Sequence, residues 1–280
     1  EKGINPNRFN WQILEQVITV LLSVLSIIGL LASLSICCAF PELINENTAF
    51  LVVLWVILIL GHVTFLLSGW QAWGTKGCQV VAALQHYLWL ASFFTMNLLS
   101  YKFFKTFSTL SMASAYSPIK KCMSFLFCLG CPACIVLTCV ALHAVGYFQY
   151  GSSHSCWIVG SLNVGLSFAL PVAVLLLINF VFFIKIVRSL HQSMDEVSNV
   201  TSRYDMKQRL FLDMKICSVM GFTWATGLLA NIPNMWFMRY IFLILASSSG
   251  LFVSLSFTLS RQVRNLIVKS PIFKSVTSRK

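Results

Sequence analysis

The chain has 280 residues, of which 58% are hydrophobic and 10% are charged, and its formal net charge is +12. A soluble globular protein of this length usually has about a quarter of its residues charged, so a soluble enzyme or binding domain is excluded. In so apolar a chain the positive charge does not indicate nucleic-acid binding. It is typical of cytoplasmic loops that face anionic lipid and an acidic or mixed-charge partner.

Seven long apolar runs follow one another along the chain. Each has about the twenty residues that a helix rising about 1.5 Å per residue needs to cross a hydrocarbon core of about 30 Å. The pattern predicts an all-α membrane protein, built as a bundle of seven transmembrane helices. The predicted spans are residues 17–40, 48–67, 80–104, 123–144, 162–187, 210–232 and 240–259.

The basic residues predict which way this bundle faces. Sixteen of the twenty Lys and Arg residues lie in or beside the gaps after the third and fifth runs, or at the C-terminus. Because positive residues are retained on the cytoplasmic side, the N-terminus is predicted outside the cell and the C-terminus inside it.

This orientation divides the chain into three predicted parts. We expect an extracellular N-terminal remnant of a longer protein at residues 1–16, the seven-span domain at 17–259 and a cytoplasmic tail at 260–280. Within the tail, Val263, Leu266 and Ile267 share one face, with basic residues around them, which predicts a short amphipathic helix on the inner leaflet.

The cysteines give a separate prediction about sidedness. Eight of the ten lie within the apolar runs or at their inner ends, where they are expected to pack as small hydrophobic residues. Cys78 and Cys156 are the two left over, and both lie on the side predicted to be extracellular. Since disulfides persist outside the cell, we predict a bond between them that holds the loop 146–156 over the mouth of the bundle.

Few polar side chains lie inside the runs, and an ionisable one is a candidate functional residue because a charge at membrane depth is costly. His62 and His86 have two interpretations: they titrate or bind ligand, or they are neutral and bonded to a neighbouring helix. The amides within the runs are expected to join helices by hydrogen bonds. They are Gln85, Asn163, Asn179 and Asn231.

Several short motifs occur in a fixed order from the third run onward. They are Gly77-Cys78, His86-Tyr87, Phe93-Phe94 and Met96-Asn97 around the third run, Cys156-Trp157 before the fifth, Pro171 and Asn179 within it, Gly221-Phe222-Thr223-Trp224 with Gly227 in the sixth, and Tyr240, Phe242 and Gly250 in the seventh. Together they resemble the secretin-like and adhesion superfamily (class B) of G-protein-coupled receptors. Met96-Asn97 followed by Lys105-Thr106-Phe107 is similar to the Methuselah-like branch of that superfamily.

The resemblance implies a multi-pass plasma-membrane receptor that passes an extracellular peptide-like signal, free or tethered, to a heterotrimeric G protein. The expected ligand pocket consists of His86, Tyr87, Trp157, Phe168, Trp224 and Phe242. The sixth run is the expected moving part, with Trp224, Gly227 and Gly250 as the switch, because glycine weakens a helix and tryptophan is a bulky lever. The expected G-protein face consists of Arg188, Lys207, Arg209, Arg261 and Arg264.

Several residues depart from the superfamily's pattern, among them Gly130-Cys131-Pro132 in the fourth run, where the usual tryptophan is missing. Leu99 stands where secretin-like receptors usually carry a buried acid, and Ala246 and Ser249 stand where Asn and Gln are common. The usual buried polar lock is therefore incomplete, and packing is expected to hold more of the resting state.

The sequence offers no catalytic set. It contains no HExxH zinc motif, no phosphate-binding glycine loop and no GxSxG elbow, so we expect neither an enzyme nor a bound metal or cofactor. A transporter or channel is the alternative from another class, since a helix bundle can carry a solute. The inverted repeats, interrupted helices and rings of like charge that mark such proteins are not visible.

Overall fold

The computed structural model describes residues 6–69, 74–108, 118–152, 156–194, 223, 226–227, 236–260 and 263–266. These residues are mostly helical, as the apolar runs predict. The helices are α1 (Pro6–Ala39), α2 (Glu46–Ser68), α3 (Gly74–Ser108), α4 (Pro118–Phe125), α5 (Cys131–Ala144), α6 (Ser161–Val164), α7 (Leu170–Met194) and α8 (Trp236–Thr258). The predicted sixth span lies outside the described residues except for 223, 226 and 227. Of the predicted amphipathic tail helix, residues 263–266 are described and helical, with Val263 buried.

Five helical stretches of the described residues are long and apolar enough to cross a membrane. They are Ile13–Ala39, Thr48–Ser68, Pro118–Ala144, Ser161–Ile186 and Tyr240–Thr258. These stretches match the first, second, fourth, fifth and seventh predicted runs. The first helix is longer than its run, because α1 begins at Pro6, within the segment predicted as the N-terminal remnant.

The third predicted run is helical throughout, as part of α3, but it is not among those five stretches. Residues 88–100 of α3 are all buried, since α2, α5 and α7 pack around it. A helix that faces other helices on every side needs no continuous apolar surface for lipid, and interfaces between membrane helices favour small and hydroxylic residues. The centre of α3 can therefore carry Ser92, Thr95 and Asn97, all of them buried.

The connection between α1 and α2 is one short turn. Residues Pro41–Leu43 form a single 3₁₀ turn, and the Asn45 side chain then accepts a hydrogen bond from the Thr48 backbone N–H at 2.9 Å. Asparagine is a preferred N-cap because its side chain satisfies a helix N–H that lacks a partner within the helix. The turn and the cap together fix where α2 begins.

Two of the membrane stretches contain a π-helical segment, and each segment ends two residues before a proline. Leu126–Gly130 joins α4 to α5 ahead of Pro132, and Gly165–Ala169 joins α6 to α7 ahead of Pro171. Proline has no backbone N–H, so it cannot bond to the carbonyl four residues earlier. Both helices accommodate their proline with a wider turn, in which carbonyl groups become available to neighbouring helices.

Helix α8 packs along α1, and one hydroxyl group joins them. Ser26 donates to the Ser247 carbonyl at 2.6 Å and accepts from the Leu251 N–H at 3.1 Å, so it bridges the two ends of one turn of α8. Within this turn, a Cβ added to Gly250 would lie 2.8 Å from Leu30 Cδ1 and 2.9 Å from Ser26 Cβ. The glycine therefore permits the close approach of α1 to α8.

Candidate functional site

A short hairpin between α5 and α6 covers the N-terminal end of α3. Tyr150 and Ile158 form its antiparallel bridge, and a disulfide joins Cys156 of the hairpin to Cys78 of α3. This bond confirms the predicted pairing. Gly151 has a φ of +70°, and a Cβ on it would lie 3.3 Å from Cys78 Sγ, so the glycine permits the hairpin to lie directly on the helix.

About two turns along α3 from the disulfide, His86 is fully buried and hydrogen-bonded through both ring nitrogens. Its Nε2 lies 3.2 Å from the Ser167 carbonyl oxygen, and its Nδ1 lies 2.8 Å from the Tyr150 hydroxyl oxygen. A carbonyl can only accept, so Nε2 carries the proton and Nδ1 accepts from Tyr150. Burial raises the pKa of Tyr150, so its hydroxyl keeps the proton that it donates. The arrangement fits the interpretation of His86 as a neutral histidine bonded to its neighbours.

Aromatic rings surround His86 beneath the hairpin. The ring centroids of His86, Trp157 and Phe168 lie 5.4 to 6.4 Å from one another, in edge-to-face arrangements that aromatic pairs favour. Phe93 of α3 continues the group, 6.4 Å from Phe168. The structure thus brings together three of the predicted pocket residues, and we call these four residues the aromatic cluster. Trp157 is only partly buried, so one side of the cluster is accessible.

Two other predicted pocket residues, Tyr87 and Phe242, are partly buried and pack against the same hydrophobic core as Phe93 and Phe168. The Tyr87 hydroxyl donates to the Leu129 carbonyl in the π-helical segment before α5, at 3.4 Å. Phe242 of α8 lies against Gly227, where an added Cβ would be 2.7 Å from Phe242 Cδ2. Trp224 lies outside the described residues.

Gly250 of α8 is one of the residues predicted to form the switch. Besides the α1 side chains already described, its neighbour is His62 of α2, whose Nε2 would lie 3.1 Å from an added Cβ. The same nitrogen lies 3.5 Å from Ser249 Oγ, so His62 connects α2 to α8. His62 thus fits the interpretation of a buried histidine bonded to a neighbouring helix.

Sequence reasoning missed three residues next to His86. They are Tyr150, Ser167 and Cys139, whose thiol lies beside the other two. One pattern could have indicated Ser167: Pro171 follows four residues later and leaves the Ser167 carbonyl without its usual helical donor. Nothing in the sequence pattern indicates Tyr150.

The amides inside the bundle have two different roles. Asn97 Nδ2 donates to Asn179 Oδ1 at 3.0 Å, which joins α3 to α7 and confirms the interhelical bond predicted for Asn179. Asn163, by contrast, donates from its Nδ2 to the Val159 carbonyl of its own segment at 2.9 Å in the described part of the chain. Because Asn163 is in the first turn of α6, a nearby carbonyl is within reach before any other helix.

At the other end of α3, a lysine is buried against aromatic rings. Lys102 is only 6% exposed, and its Nζ lies 4.1 Å from the centroid of the Phe50 ring of α2. The Phe50 ring is in turn 4.9 Å from the Phe125 ring of α4. Lys185 of α7 lies over Phe104 at 5.4 Å. These are cation–π contacts, which gain strength where water is excluded.

Two of the five cations predicted to face a G protein are described. Arg188 and Arg264 are both exposed, whereas Lys207, Arg209 and Arg261 lie outside the described residues. Among the residues that the structure describes, no group of three His, Cys, Asp or Glu side chains could hold a metal ion.

Comparison with known proteins gives one consistent result. Residues 13–253 match the family described as 7 transmembrane receptor (Secretin family). The chain is 30% identical over 226 residues to adhesion G protein-coupled receptor E3 of Homo sapiens, covering 79% of this chain and 34% of that protein. It is 29% identical over 224 residues to adhesion G protein-coupled receptor E2 of Canis lupus familiaris, covering 79% of this chain and 27% of that protein. It is 26% identical over 253 residues to the E2 receptor of Rattus norvegicus, covering 89% of this chain and 27% of that protein.

The chain therefore spans about a third or less of the length of these relatives. With its apolar helices, the match also makes it a multi-pass plasma-membrane protein.

Proposed function

This chain belongs to the secretin family of seven-transmembrane receptors, and we propose that it receives an extracellular peptide-like signal and activates a heterotrimeric G protein. The observation that carries the proposal is the aromatic cluster beneath the disulfide-anchored hairpin. A partly exposed set of rings around polar groups is suited to an apolar peptide side chain with a nearby hydrogen bond.

The proposed orientation places the hairpin outside the cell. Cys78 and Lys102 are 24 residues apart on α3, a rise of about 36 Å, which is enough to separate the two faces of a membrane. The disulfide favours an oxidising exterior at the Cys78 end, and the basic residues around Lys102 favour the cytoplasm at the other.

A labelling experiment tests this orientation. A membrane-impermeant amine reagent should label the exposed Lys76 in intact cells, but it should reach Lys207 and Lys274 only after the membrane is opened. Lys76 serves as the internal control for reagent activity. Labelling of Lys274 in intact cells would overturn the orientation.

We further propose that the sixth and seventh runs carry the conformational change, with Trp224, Gly227 and Gly250 as the switch. The contact of Gly227 with Phe242 supports this, because the absence of a side chain at Gly227 permits the sixth and seventh runs to approach closely there. Gly227→Ala should therefore alter basal signalling by overpacking, at about 1 to 3 kcal/mol. Gly61→Ala is the matched control, since a Cβ there meets nothing within 4 Å.

A G-protein activation panel tests the main proposal. The chain would be expressed in cells at a measured surface level. We expect at least one G-protein class to respond, and Arg188→Glu to reduce that response at unchanged surface expression. Lys76→Glu, a charge reversal at the opposite end of the bundle, should leave it unchanged. Normal surface expression with solute flux and no response from any class would instead support the transporter or channel alternative.

A further inference from the structure

The Ser167 carbonyl lacks its usual donor within the helix, and a side chain of another helix supplies one. Pro171 supplies no N–H to the Ser167 carbonyl four residues earlier. His86 of α3 donates to this carbonyl through Nε2–H at 3.2 Å. A buried carbonyl without a donor is costly, so His86 stabilises the wide turn that Gly165–Ala169 forms ahead of the proline.

His86 can donate to Ser167 only in one tautomer. A neutral imidazole has one N–H, and the proton must be on Nε2 for this bond to exist. The Ser167 carbonyl can only accept, so it selects this tautomer. The opposite nitrogen, Nδ1, then accepts from the Tyr150 hydroxyl at 2.8 Å. Tyr150 therefore holds the ring in the orientation on which the Ser167 bond depends.

Tyr150 in turn belongs to the hairpin and is fixed by it. It is 1% exposed, forms the bridge to Ile158, and lies in the segment that the Cys156 disulfide fastens to α3. Its ring packs 4.9 Å from that of Phe148, whose carbonyl accepts from His143 of α5 at 3.0 Å. A displacement of the hairpin would move the hydroxyl away from Nδ1.

We propose that Tyr150 is a positioning residue, and that Tyr150 and His86 form a hydrogen-bond relay from the disulfide-anchored hairpin to the proline-containing helix of the fifth run. When the hairpin holds Tyr150 in place, the His86 ring keeps its Nε2–H directed at the Ser167 carbonyl and supports the π-helical segment. When the hairpin is displaced, the ring is free to turn and the segment loses its donor. The relay deepens the proposed function, because it connects the surface that would meet a ligand to a helix that crosses the membrane.

The relay can be measured without any ligand or G protein. The full chain in lipid nanodiscs would be compared with Tyr150→Phe, which removes only the hydroxyl, by hydrogen exchange of residues 165–172. We expect exchange there to become about three- to tenfold faster, the effect of losing one typical hydrogen bond. Tyr147→Phe is the matched control, since Tyr147 is in the same loop but 81% exposed, and it should change nothing.

A spectroscopic readout separates the relay from a general loosening of the hairpin. The chain has five histidines, and the ¹⁵N signals of His86 are assigned as those lost in His86→Phe. Wild-type protein should show a protonated Nε2 and an Nδ1 that accepts a hydrogen bond. Tyr150→Phe should shift the Nδ1 signal to that of an unbonded nitrogen and the Nε2 signal to that of a weaker donor. In the His86→Phe background, Tyr150→Phe should produce no further change in exchange at 165–172.

Two results would overturn the relay. One is an unchanged Nε2 signal of His86 in Tyr150→Phe; the other is an equal effect of Tyr150→Phe with and without His86. If Tyr150→Phe does not fold, the Nε2 signal of His86 in wild-type protein before and after reduction of the disulfide decides the matter. Loss of G-protein activation in any assay leaves these measurements unaffected, so the relay and the proposed function fail separately.

Discussion

The two ends of α3 are held by different kinds of interaction. At the disulfide end, His86 and Tyr87 donate to carbonyl groups of two neighbouring π-helical segments, and a covalent bond fixes the hairpin above them. At the lysine end, Lys102 is buried against the rings of Phe50 and its neighbours.

The difference lies in how each set of contacts responds to displacement. Hydrogen bonds weaken steeply when the angle or distance departs from the optimum, so the disulfide end has one favoured arrangement. A cation over a ring face and rings in edge contact tolerate sliding, since the attraction depends less on exact angles. The contacts at the disulfide end therefore tolerate less displacement than the contacts at the lysine end.

Removing the disulfide should have the largest effect. Replacing Cys78 and Cys156 together by serine is expected to lower the free energy of unfolding by about 2 to 5 kcal/mol. Hydrogen exchange should accelerate in the hairpin and at residues 165–170, where the hydrogen bonds depend on its position, but not around Lys102. Thermal unfolding and exchange would measure this, with Cys122→Ser, an exposed free cysteine, as the control. Uniform acceleration along α3 would contradict the distinction between its ends.

Lys102→Met should have a smaller effect, confined to the lysine end. The substitution keeps an unbranched chain but removes the charge, so it should cost about 0.5 to 2 kcal/mol, the value of a cation–π contact. Exchange should accelerate at residues 98–105 and leave the hairpin unchanged.

The control for this change is Lys120→Met, an exposed cation on α4. A double-mutant cycle with Phe50→Leu should show strong non-additivity, because both variants remove the same contact. Additive effects would mean that the stability contributed by Lys102 comes from other neighbours.

The sequence predicted the disulfide at one end of α3 but not the buried lysine at the other, and the reasons are physical. Sidedness was enough to pair Cys78 with Cys156, because apolar runs account for the other cysteines. Burial of Lys102 could not be predicted, since the charge pattern alone assigns it to the inner border of the membrane and its ring partners come from distant segments.

The π-helical segments show the same limit. Pro132 and Pro171 can be read from the sequence, and so can the absence of a backbone N–H at each of them. Which side chain supplies the missing donor depends on tertiary packing, so the bond from His86 to the Ser167 carbonyl could not be read from periodicity. Apolar length similarly predicted a third span but not that its centre is buried on all sides, which only the surrounding helices determine.

The smallest expected effect comes from Asn97 and Asn179, which lie between the two ends. Their side-chain bond joins α3 to α7 at 3.0 Å, and the Asn97 amide also lies 3.4 Å from the Leu175 carbonyl. Interhelical hydrogen bonds in membranes contribute on average about 0.6 kcal/mol, because the separated helices find other partners. A double-mutant cycle of Asn97→Ala and Asn179→Ala should therefore give a coupling of about that size in thermal unfolding. Asn97→Ala should cost more than Asn179→Ala, since only Asn97 also approaches the Leu175 carbonyl. A coupling above about 2 kcal/mol would exceed what a single such bond contributes, and would make the centre of α3 a third rigid point rather than a passive link.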